Sequence, residues 1–318
     1  MAVFTPVRLD EARQFFARLD LGTLLELQGI ESGIENTNYF ATTSRGAFVL
    51  TLFERLTPEQ LPFYLEFMRH LAAHGIPVPD PMPDARGNIL HSLCGRPAAV
   101  VTRLRGRSVL APQPTHCEQV GTWLARMHLA ARDYAGNQPN LRGLDWQRAT
   151  IPAVLPFVDT GVAALLRAEL DHQTTIARSP DYAALPRSAV HADLFRDNAL
   201  FEDGTLSGIF DFYFAGVDTW VFDLAVALND WCIDLATGAF DPARHDALLH
   251  GYGRVRPLLP VEQALLPDAL RAAALRFWTS RLADFHLPRD AHLLNPHDPA
   301  HFERVLRQRI AEAQRVPA

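Results

Sequence analysis

A change of hydrophobic periodicity near residue 104 limits the folds open to this chain more than any other feature. Before it, short apolar runs such as LLELQGIE, NYFATTS and AFVLTLF are separated by turn-forming residues, which is typical of an antiparallel meander. Beyond Pro114, apolar residues mostly recur at helical spacing. The pattern predicts an α+β fold of two lobes. The β-rich N-terminal lobe would span residues 1–104 and the mainly helical C-terminal lobe residues 105–318.

Local signals place helices on both sides of this change. Residues 9–20 repeat apolar positions at helical spacing, and Thr57, followed by a proline and then a glutamine, is typical of a helix start. Thr115 and Glu118 predict a second capping box, ahead of a helix to about residue 134. Strands are predicted over 89–93 and 96–104, and further helices over 153–178, 217–236, 242–253, 261–286 and 299–314.

The bulk composition excludes several classes of protein. A net charge of −6 at pH 7 and a pI near 6.1 give no basic surface for nucleic acid. No apolar run approaches the ~18 residues of a membrane span, and the N-terminus lacks the pattern of a signal peptide. The scattered cysteines, Cys94, Cys117 and Cys232, fit neither a disulfide framework nor a zinc site. A cytoplasmic protein without nucleic-acid or membrane partners is expected.

The chain contains no lysine, so all 30 of its basic residues are arginines. This excludes Schiff-base chemistry on a lysine and the phosphate-binding lysine of a P-loop. It also excludes the lysine that protein kinases place on their third strand. Any phosphate chemistry must therefore rely on metal ions, backbone amides or arginine.

The strongest local signal is the segment HADLFRDN, residues 191–198, followed by Asp211 after the apolar run LSGIF. Phosphoryl transfer needs an acceptor for the proton of the attacking hydroxyl and oxygen ligands for Mg²⁺. Asp193 suits the first role, Asn198 and Asp211 suit the second, and His191 would brace the loop. The alternative is a polar turn whose side chains satisfy local backbone groups.

Other polar residues admit two interpretations each. Small and amide-bearing residues in GIENTN, residues 33–38, could bring backbone amides to phosphates, or form an ordinary hairpin turn. Asp223 could accept backbone hydrogen bonds from the segment around Asp193, or be only a carboxylate at a helix N-terminus. Asp230 and the neighbouring Trp231 could line a substrate site, or belong to an amphipathic pattern.

Several of these segments resemble the bacterial homoserine kinases of the aminoglycoside-phosphotransferase-like superfamily. The resemblance spans nearly the whole chain and rests on GIENTNYF, VLTLFE, LPFY, GIPVP, HADLFRDN, ALNDWC and FWTSRL. It implies a protein-kinase-like fold and transfer of the γ-phosphate of ATP, with Mg²⁺, to the side-chain hydroxyl of L-homoserine, a step toward threonine. Thr51 stands where the wider superfamily carries its lysine, and the homoserine kinase subgroup is similar to this chain there.

The resemblance also implies roles for individual residues. Asp193 would be the base, Asn198 and Asp211 would bind the metal, and residues 33–38 would cover the phosphates, while His191 keeps its bracing role in the catalytic segment. Adenine would lie near residues 102–105, against backbone groups. Apart from the resemblance, the charges of homoserine call for an arginine at its carboxylate, for which Arg281 is nominated, and for an acidic partner at its ammonium group, for which Asp230 is nominated. The residues expected to contact the nucleotide are Gly33, Ile34, Glu35, Asn36, Thr37, Asn38, Thr102 and Arg103.

Two rival functions stay open on the sequence alone. One is a related kinase of another small hydroxylated amine or sugar, such as choline, an aminoglycoside or methylthioribose, because fold alone does not select a substrate. The other is a catalytically inactive nucleotide-binding module, which the missing lysine suggests. Intact Asp193, Asn198 and Asp211 argue against the second rival.

Overall fold

The computed structural model describes residues 5–30, 36–287 and 297–314. The chain forms two compact units, each with its own packing. The first contains Met1–Gly106 and Ser207–Phe210, and the second contains Arg107–Leu206 and Asp211–Ala318. Within the described ranges, no helix combines the length and apolar character needed to cross a membrane.

The first unit contains an antiparallel sheet of five strands in the order β1-β2-β3-β5-β4. The meander predicted from the apolar runs corresponds to its first three strands, which confirms the β-rich start of the fold. Two helices accompany the sheet. The elements are α1 (Leu9–Arg18), β1 (Leu24–Gly29), β2 (Asn36–Thr43), β3 (Gly46–Phe53), α2 (Leu61–Ala73), β4 (His91–Leu93) and β5 (Arg96–Thr102).

The alternation of β3 decides which of its side chains enter the core. Phe48, Leu50 and Leu52 pack in one cluster with Phe15 and Phe16 of α1. Successive strand residues point to opposite faces, so the residues between them face away from this cluster. The position of the missing lysine, residue 51, therefore lies on the face of the sheet opposite α1.

Two predicted helix starts are wrong by a few residues. The second helix begins at Leu61 rather than at Thr57, and the Gln60 side chain only reaches back to accept a hydrogen bond from the Thr57 N–H (3.1 Å). The helix predicted to be capped by Thr115 has Gln113 as its cap residue instead. In both cases the proline and polar residues signal a helix start but do not fix the residue at which it occurs.

The second unit is mainly helical, with a few short strands. The helix predicted over 153–178 is wrong, because the chain turns at residues 155–159 and Asp159 caps a new helix by accepting from the Gly161 and Val162 N–H groups. Beyond residue 106 the elements are α3 (Pro114–Ala130), α4 (Leu144–Val154), α5 (Thr160–Ile176), α6 (Pro180–Ala183), β6 (Arg187–Val190), β7 (Ala199–Glu202), β8 (Thr205–Ile209), β9 (Gly216–Thr219), α7 (Trp220–Trp231), α8 (Pro242–Val255), α9 (Pro260–His286) and α10 (Ala300–Ala313). Most of β8 lies in the segment Ser207–Phe210, which belongs to the first unit.

Helix α7 is the central element of the second unit. All twelve of its residues are buried, so it is not an amphipathic surface helix. It begins at Trp220 rather than at 217, because residues 216–219 pair with β6 as the antiparallel strand β9. Since buried polar groups need hydrogen-bond partners, the carboxylates on α7 must be satisfied inside the protein.

Candidate active site

The segment 191–198, called the catalytic loop below, follows β6 directly. Ala192 has a φ of 62°, in the left-handed region that costs about 1 kcal/mol or more for a residue with a Cβ. Asp223 of α7 accepts hydrogen bonds from the N–H groups of His191 (3.2 Å) and Ala192 (2.7 Å). These two bonds offset the strain and support the loop-anchoring interpretation of Asp223.

Asp223 is itself held by residues that the sequence did not single out. His128 of α3 donates from Nε2 to Asp223 Oδ2 (3.0 Å), and its Nδ1 lies 2.8 Å from the hydroxyl of Tyr252. All three side chains are buried. Burial raises the pKa of Asp223, but the contacts with His128, the nearby His191 and the Ala192 N–H together outweigh it and leave that pKa below its usual value. The carboxylate therefore stays ionised as an acceptor for the loop.

The other end of α7 holds the same loop. Asp230 Oδ2 accepts from the backbone N–H (2.8 Å) and Nε (3.1 Å) of Arg196, and Trp231 Nε1 donates to the Leu194 carbonyl (3.0 Å). Burial raises the pKa of Asp230 despite the Arg196 charge. These contacts favour a loop-holding role for Asp230. Its nomination as the partner of the substrate ammonium stays a prediction.

Asp193 and Asn198 face each other across the loop. The Asn198 amide donates from Nδ2 to the Asp193 carbonyl (2.8 Å) and to its Oδ2 (3.2 Å). Both bonds come from the amide nitrogen of Asn198, so its amide oxygen is not used in the contact with Asp193. His191 Nδ1 accepts from the Asp193 N–H (3.2 Å), so the bracing role predicted for His191 has a direct contact.

The environment of Asp193 is strongly charged. Burial raises its pKa well above the usual range, and the nearby Asp211 and Asp197 carboxylates raise it further, while Arg276 and Asn198 lower it. Asp211 precedes a short 3-10 helix and has a φ of 66°. Asp193, Asn198 and Asp211 therefore lie in one neighbourhood, as their predicted roles require. The roles themselves stay predictions.

An arginine of α9 completes this neighbourhood. Arg276 Nη1 lies 3.5 Å from Asp193 Oδ1, and its side chain is only 4% exposed. The sequence analysis missed it. A signal was present, because Arg276 is the only charged residue in the apolar run AAALRFW, and an arginine placed among core residues requires a specific partner.

Arg281, nominated for the substrate carboxylate, lies further along α9. Its guanidinium stacks over the Phe302 ring (4.5 Å), and Nη1 donates to the Asp298 carbonyl (3.1 Å). Burial lowers its pKa, against the effect of Asp230, Asp298, Asp197 and Asp193, whose carboxylates are close enough to raise it. Arg281 is thus near the catalytic loop, and its role stays a prediction.

The predicted phosphate loop, residues 33–38, belongs to the first unit. Gly33, Ile34 and Glu35 lie outside the described residues. Near the C-terminal end of this loop, Thr37 is buried and donates to Glu54 Oε1 (2.7 Å). This bond connects the start of β2 to the end of β3. The next residue, Asn38, accepts at Oδ1 from the Thr51 hydroxyl (2.7 Å). The loop therefore has a fixed C-terminal support.

The segment predicted to hold adenine is already bonded to its own unit. The Thr102 N–H donates to the Asp80 carbonyl (3.0 Å), and the Arg103 N–H donates to the Ala47 carbonyl (3.1 Å). The Arg103 guanidinium covers the Phe40 ring at 3.8 Å. The N–H groups of Thr102 and Arg103 are therefore already used, and adenine would have to bind other backbone groups of residues 102–105. The assignment of Thr102 and Arg103 to the nucleotide stays a prediction.

Sequence comparison decides the family. The model of the phosphotransferase enzyme family matches residues 26–258. A homoserine kinase from Polaromonas naphthalenivorans (strain CJ2) is 60% identical over 311 residues, which are 98% of each chain. The chain belongs to the homoserine kinase family. A second homoserine kinase, from Paraburkholderia xenovorans (strain LB400), is 57% identical over 319 residues, covering 98% of this chain and 96% of the relative.

The fold of this homoserine kinase family member matches solved phosphotransferases. The amicoumacin kinase hAmiN, solved in complex with AMP-PNP, Ca²⁺ and Ami, has a TM-score of 0.70 at 18% identity, covering 98% of this chain and 95% of that one. At this identity the match concerns the fold alone. Together with the family assignment it confirms the predicted α+β, protein-kinase-like fold class and the predicted resemblance.

Position 51 tests how a lysine-free member of the homoserine kinase family binds phosphates. Thr51 is 3% exposed and donates to Asn38, so Thr51→Lys would break that bond and bury an ammonium group. We expect kcat/KM for ATP to fall or stay unchanged in Thr51→Lys. Steady-state kinetics with varied ATP measures this, with Thr51→Val as the control that removes the hydrogen bond without adding charge. A severalfold rise in Thr51→Lys would contradict lysine-free phosphate binding.

Proposed function

We propose that this protein transfers the γ-phosphoryl group of ATP to the side-chain hydroxyl of L-homoserine. The hydroxyl oxygen forms the new P–O bond, the bond between the γ-phosphorus and the β,γ-bridging oxygen breaks, and ADP leaves. The observation that carries the proposal is the 60% identity to a homoserine kinase over 98% of both chains. Because the reaction uses cellular ATP and the three cysteines are free thiols, we place it in the cytoplasm.

Asp193 is the proton acceptor in this reaction. Its carboxylate is fixed by the Asn198 amide and by Arg276, so it is oriented before the substrate arrives. Burial raises the pKa of Asp193, while the charge of Arg276 and the hydrogen bond from Asn198 act to lower it. The carboxylate can thus orient the hydroxyl and take its proton as the new bond forms.

The donor set fits Mg²⁺. Asn198 offers an amide oxygen and Asp211 a carboxylate, both hard ligands of the kind that cation prefers. No cluster of three or more His, Cys, Asp or Glu side chains suited to a metal occurs among the described residues. The remaining ligands would therefore be phosphate oxygens and water. When bound, Mg²⁺ would offset the negative charge of the β- and γ-phosphates.

The nucleotide would bind to residues of the first unit. We assign the phosphates to the loop of residues 33–38 and adenine to the backbone near residues 102–105. The bonds of Thr37 to Glu54 and of Asn38 to Thr51 supply the rigidity that a phosphate-covering segment needs at one end. Asn38 adds an amide group without negative charge, which suits a chain that has no lysine.

A substrate panel tests this function. Purified protein with MgATP is expected to phosphorylate L-homoserine with a kcat/KM at least about tenfold above those for choline, L-serine and methylthioribose. Tenfold is about 1.4 kcal/mol, which one satisfied ion pair can supply. Coupled measurement of ADP release gives the constants. A preference for choline, L-serine or methylthioribose would show that the protein is a kinase of that compound instead. Binding of ATP without phosphorylation of any of the four compounds would indicate an inactive nucleotide-binding module.

A further inference from the structure

A row of buried polar side chains leads from the catalytic loop to the end of α8. It is called the buried network below, and its members are Asp223, His128, Tyr252, Arg256 and Glu262. All five belong to the second unit, and each is hydrogen-bonded to the next. Buried polar groups are costly unless they are paired, so the geometry of each member depends on its neighbours.

Arg256, which follows α8 directly, is fixed by three helices. Its Nη1 donates to the Tyr252 hydroxyl oxygen (3.0 Å) and its Nη2 to Glu262 Oε2. The same Glu262 oxygen accepts from the Leu259 N–H (2.9 Å), so the ion pair joins the end of α8 to the start of α9. The guanidinium also lies over the Trp220 ring of α7, 4.5 Å from its centroid.

The donors available decide the direction of the bonds between Arg256 and Asp223. Arginine can only donate, so the Tyr252 oxygen accepts from Arg256 and its single proton is directed to His128 Nδ1, 2.8 Å away. Burial raises the pKa of Tyr252, so its hydroxyl keeps this proton. Because His128 accepts at Nδ1, its own proton is on Nε2, which donates to Asp223 (3.0 Å).

The network meets the catalytic loop at the Asp223 carboxylate. Its Oδ2 accepts both from His128 Nε2 and from the His191 N–H, while Oδ1 accepts from the left-handed Ala192. Asp193 is the next residue. An imidazole that lost its Nε2 proton would turn a lone pair toward Asp223, and the carboxylate would move away from the backbone that it holds.

We propose that Tyr252 and Arg256 are positioning residues for phosphoryl transfer. They keep the proton of His128 on Nε2, and His128 keeps Asp223 oriented toward the loop that carries Asp193. The inference rests on the proposed function, and it extends the set of residues that govern the rate to α8, which supplies no group to the reaction itself.

Tyr252→Phe removes only the hydroxyl and tests this role most directly. We expect the rate of phosphoryl transfer in a single turnover, measured by rapid quench with saturating homoserine and MgATP, to fall by about 5- to 50-fold. KM for ATP should stay within about threefold. In a His128→Gln background the same substitution should change the rate less than about twofold, because the residue through which Tyr252 acts is gone.

Amide hydrogen exchange is a second measurement and needs no turnover. Tyr252→Phe should speed exchange of the His191 and Ala192 N–H groups at least about threefold, because their acceptor is held less firmly.

A buried ion pair outside the network supplies the matched control. Arg271 pairs with Glu169 of α5 (2.6 Å), and its side chain is 15% exposed, against 10% for Arg256. Arg256→Met should lower the single-turnover rate and speed exchange in the loop, and Arg256→Lys, which keeps a donor, should recover part of both. Arg271→Met should lower the thermal stability but change neither.

Three results would overturn the positioning role: an unchanged rate in Tyr252→Phe, additive effects of Tyr252→Phe and His128→Gln, or equal slowing by Arg256→Met and Arg271→Met. Thermal unfolding distinguishes a misfolded variant from a misplaced loop, and exchange in Tyr252→Phe decides if the double variant does not fold. A parent enzyme inactive on homoserine would overturn the proposed function instead, and exchange would still test the network.

Discussion

Replacing Asp193 with asparagine should lower kcat for homoserine phosphorylation by about two to four orders of magnitude, the usual contribution of a positioned base. Asparagine keeps the size of the side chain but does not accept the proton of the attacking hydroxyl. Because Asp193 belongs to the second unit and is not among the residues assigned to the nucleotide, KM for ATP should stay within a few-fold. Steady-state kinetics with each substrate varied in turn measures both effects.

Asp197 serves as the control for Asp193, and Asp211 is expected to show a different effect. Asp197 lies in the same loop and is exposed, so Asp197→Asn should leave kcat within a few-fold of the parent value. Asp211→Asn should instead raise the Mg²⁺ concentration needed for half-maximal rate, because it removes a proposed metal ligand. If Asp193→Asn kept near-parental turnover, the phosphotransfer site would lie elsewhere.

Replacing Asp223 with alanine should destabilise the protein by about 3–5 kcal/mol, because three buried donors lose their acceptor and each unsatisfied group costs about 1–3 kcal/mol. The donors are the N–H groups of His191 and Ala192 and the Nε2 of His128. The left-handed Ala192 also loses its support, so kcat should fall as well. Urea unfolding at neutral pH gives the free-energy difference.

The control for Asp223→Ala is Asp241→Ala, which removes an ordinary helix-capping carboxylate at the start of α8 and should lower the free energy of unfolding by about 1 kcal/mol.

The pH dependence of the unfolding free energy is a second measurement of the role of Asp223. The pKa of Asp223 is lowered in the folded state, so its ionisation stabilises the protein above the unfolded pKa of about 3.9, and this contribution is lost as pH falls through the folded pKa. The difference between parent and Asp223→Ala should therefore shrink in acid. A difference that is small at neutral pH, or that grows in acid, would contradict the anchoring role.

Much of the first unit could be predicted because its signals are local. The apolar run AFVLTLF predicts the strand β3, and the structure places its Phe48, Leu50 and Leu52 in one cluster with the residues of α1. Helix boundaries were less accurate, since the capping signals at Thr57 and Thr115 identify a helix start only to within a few residues. The break at residues 155–159 was missed because apolar spacing continues across it.

The sequence by itself determined the chemistry-bearing segment of this protein. The residues of HADLFRDN lie within one loop, so their spacing alone brings Asp193 and Asn198 into contact. Only the tertiary structure decided what supports that loop. Asp223, His128 and Arg276 lie on α7, α3 and α9, and they meet the loop because burying an ionised group requires partners from whichever helices pack beside it. Such pairing depends on which faces of separate helices come together, and no local pattern in the sequence records it.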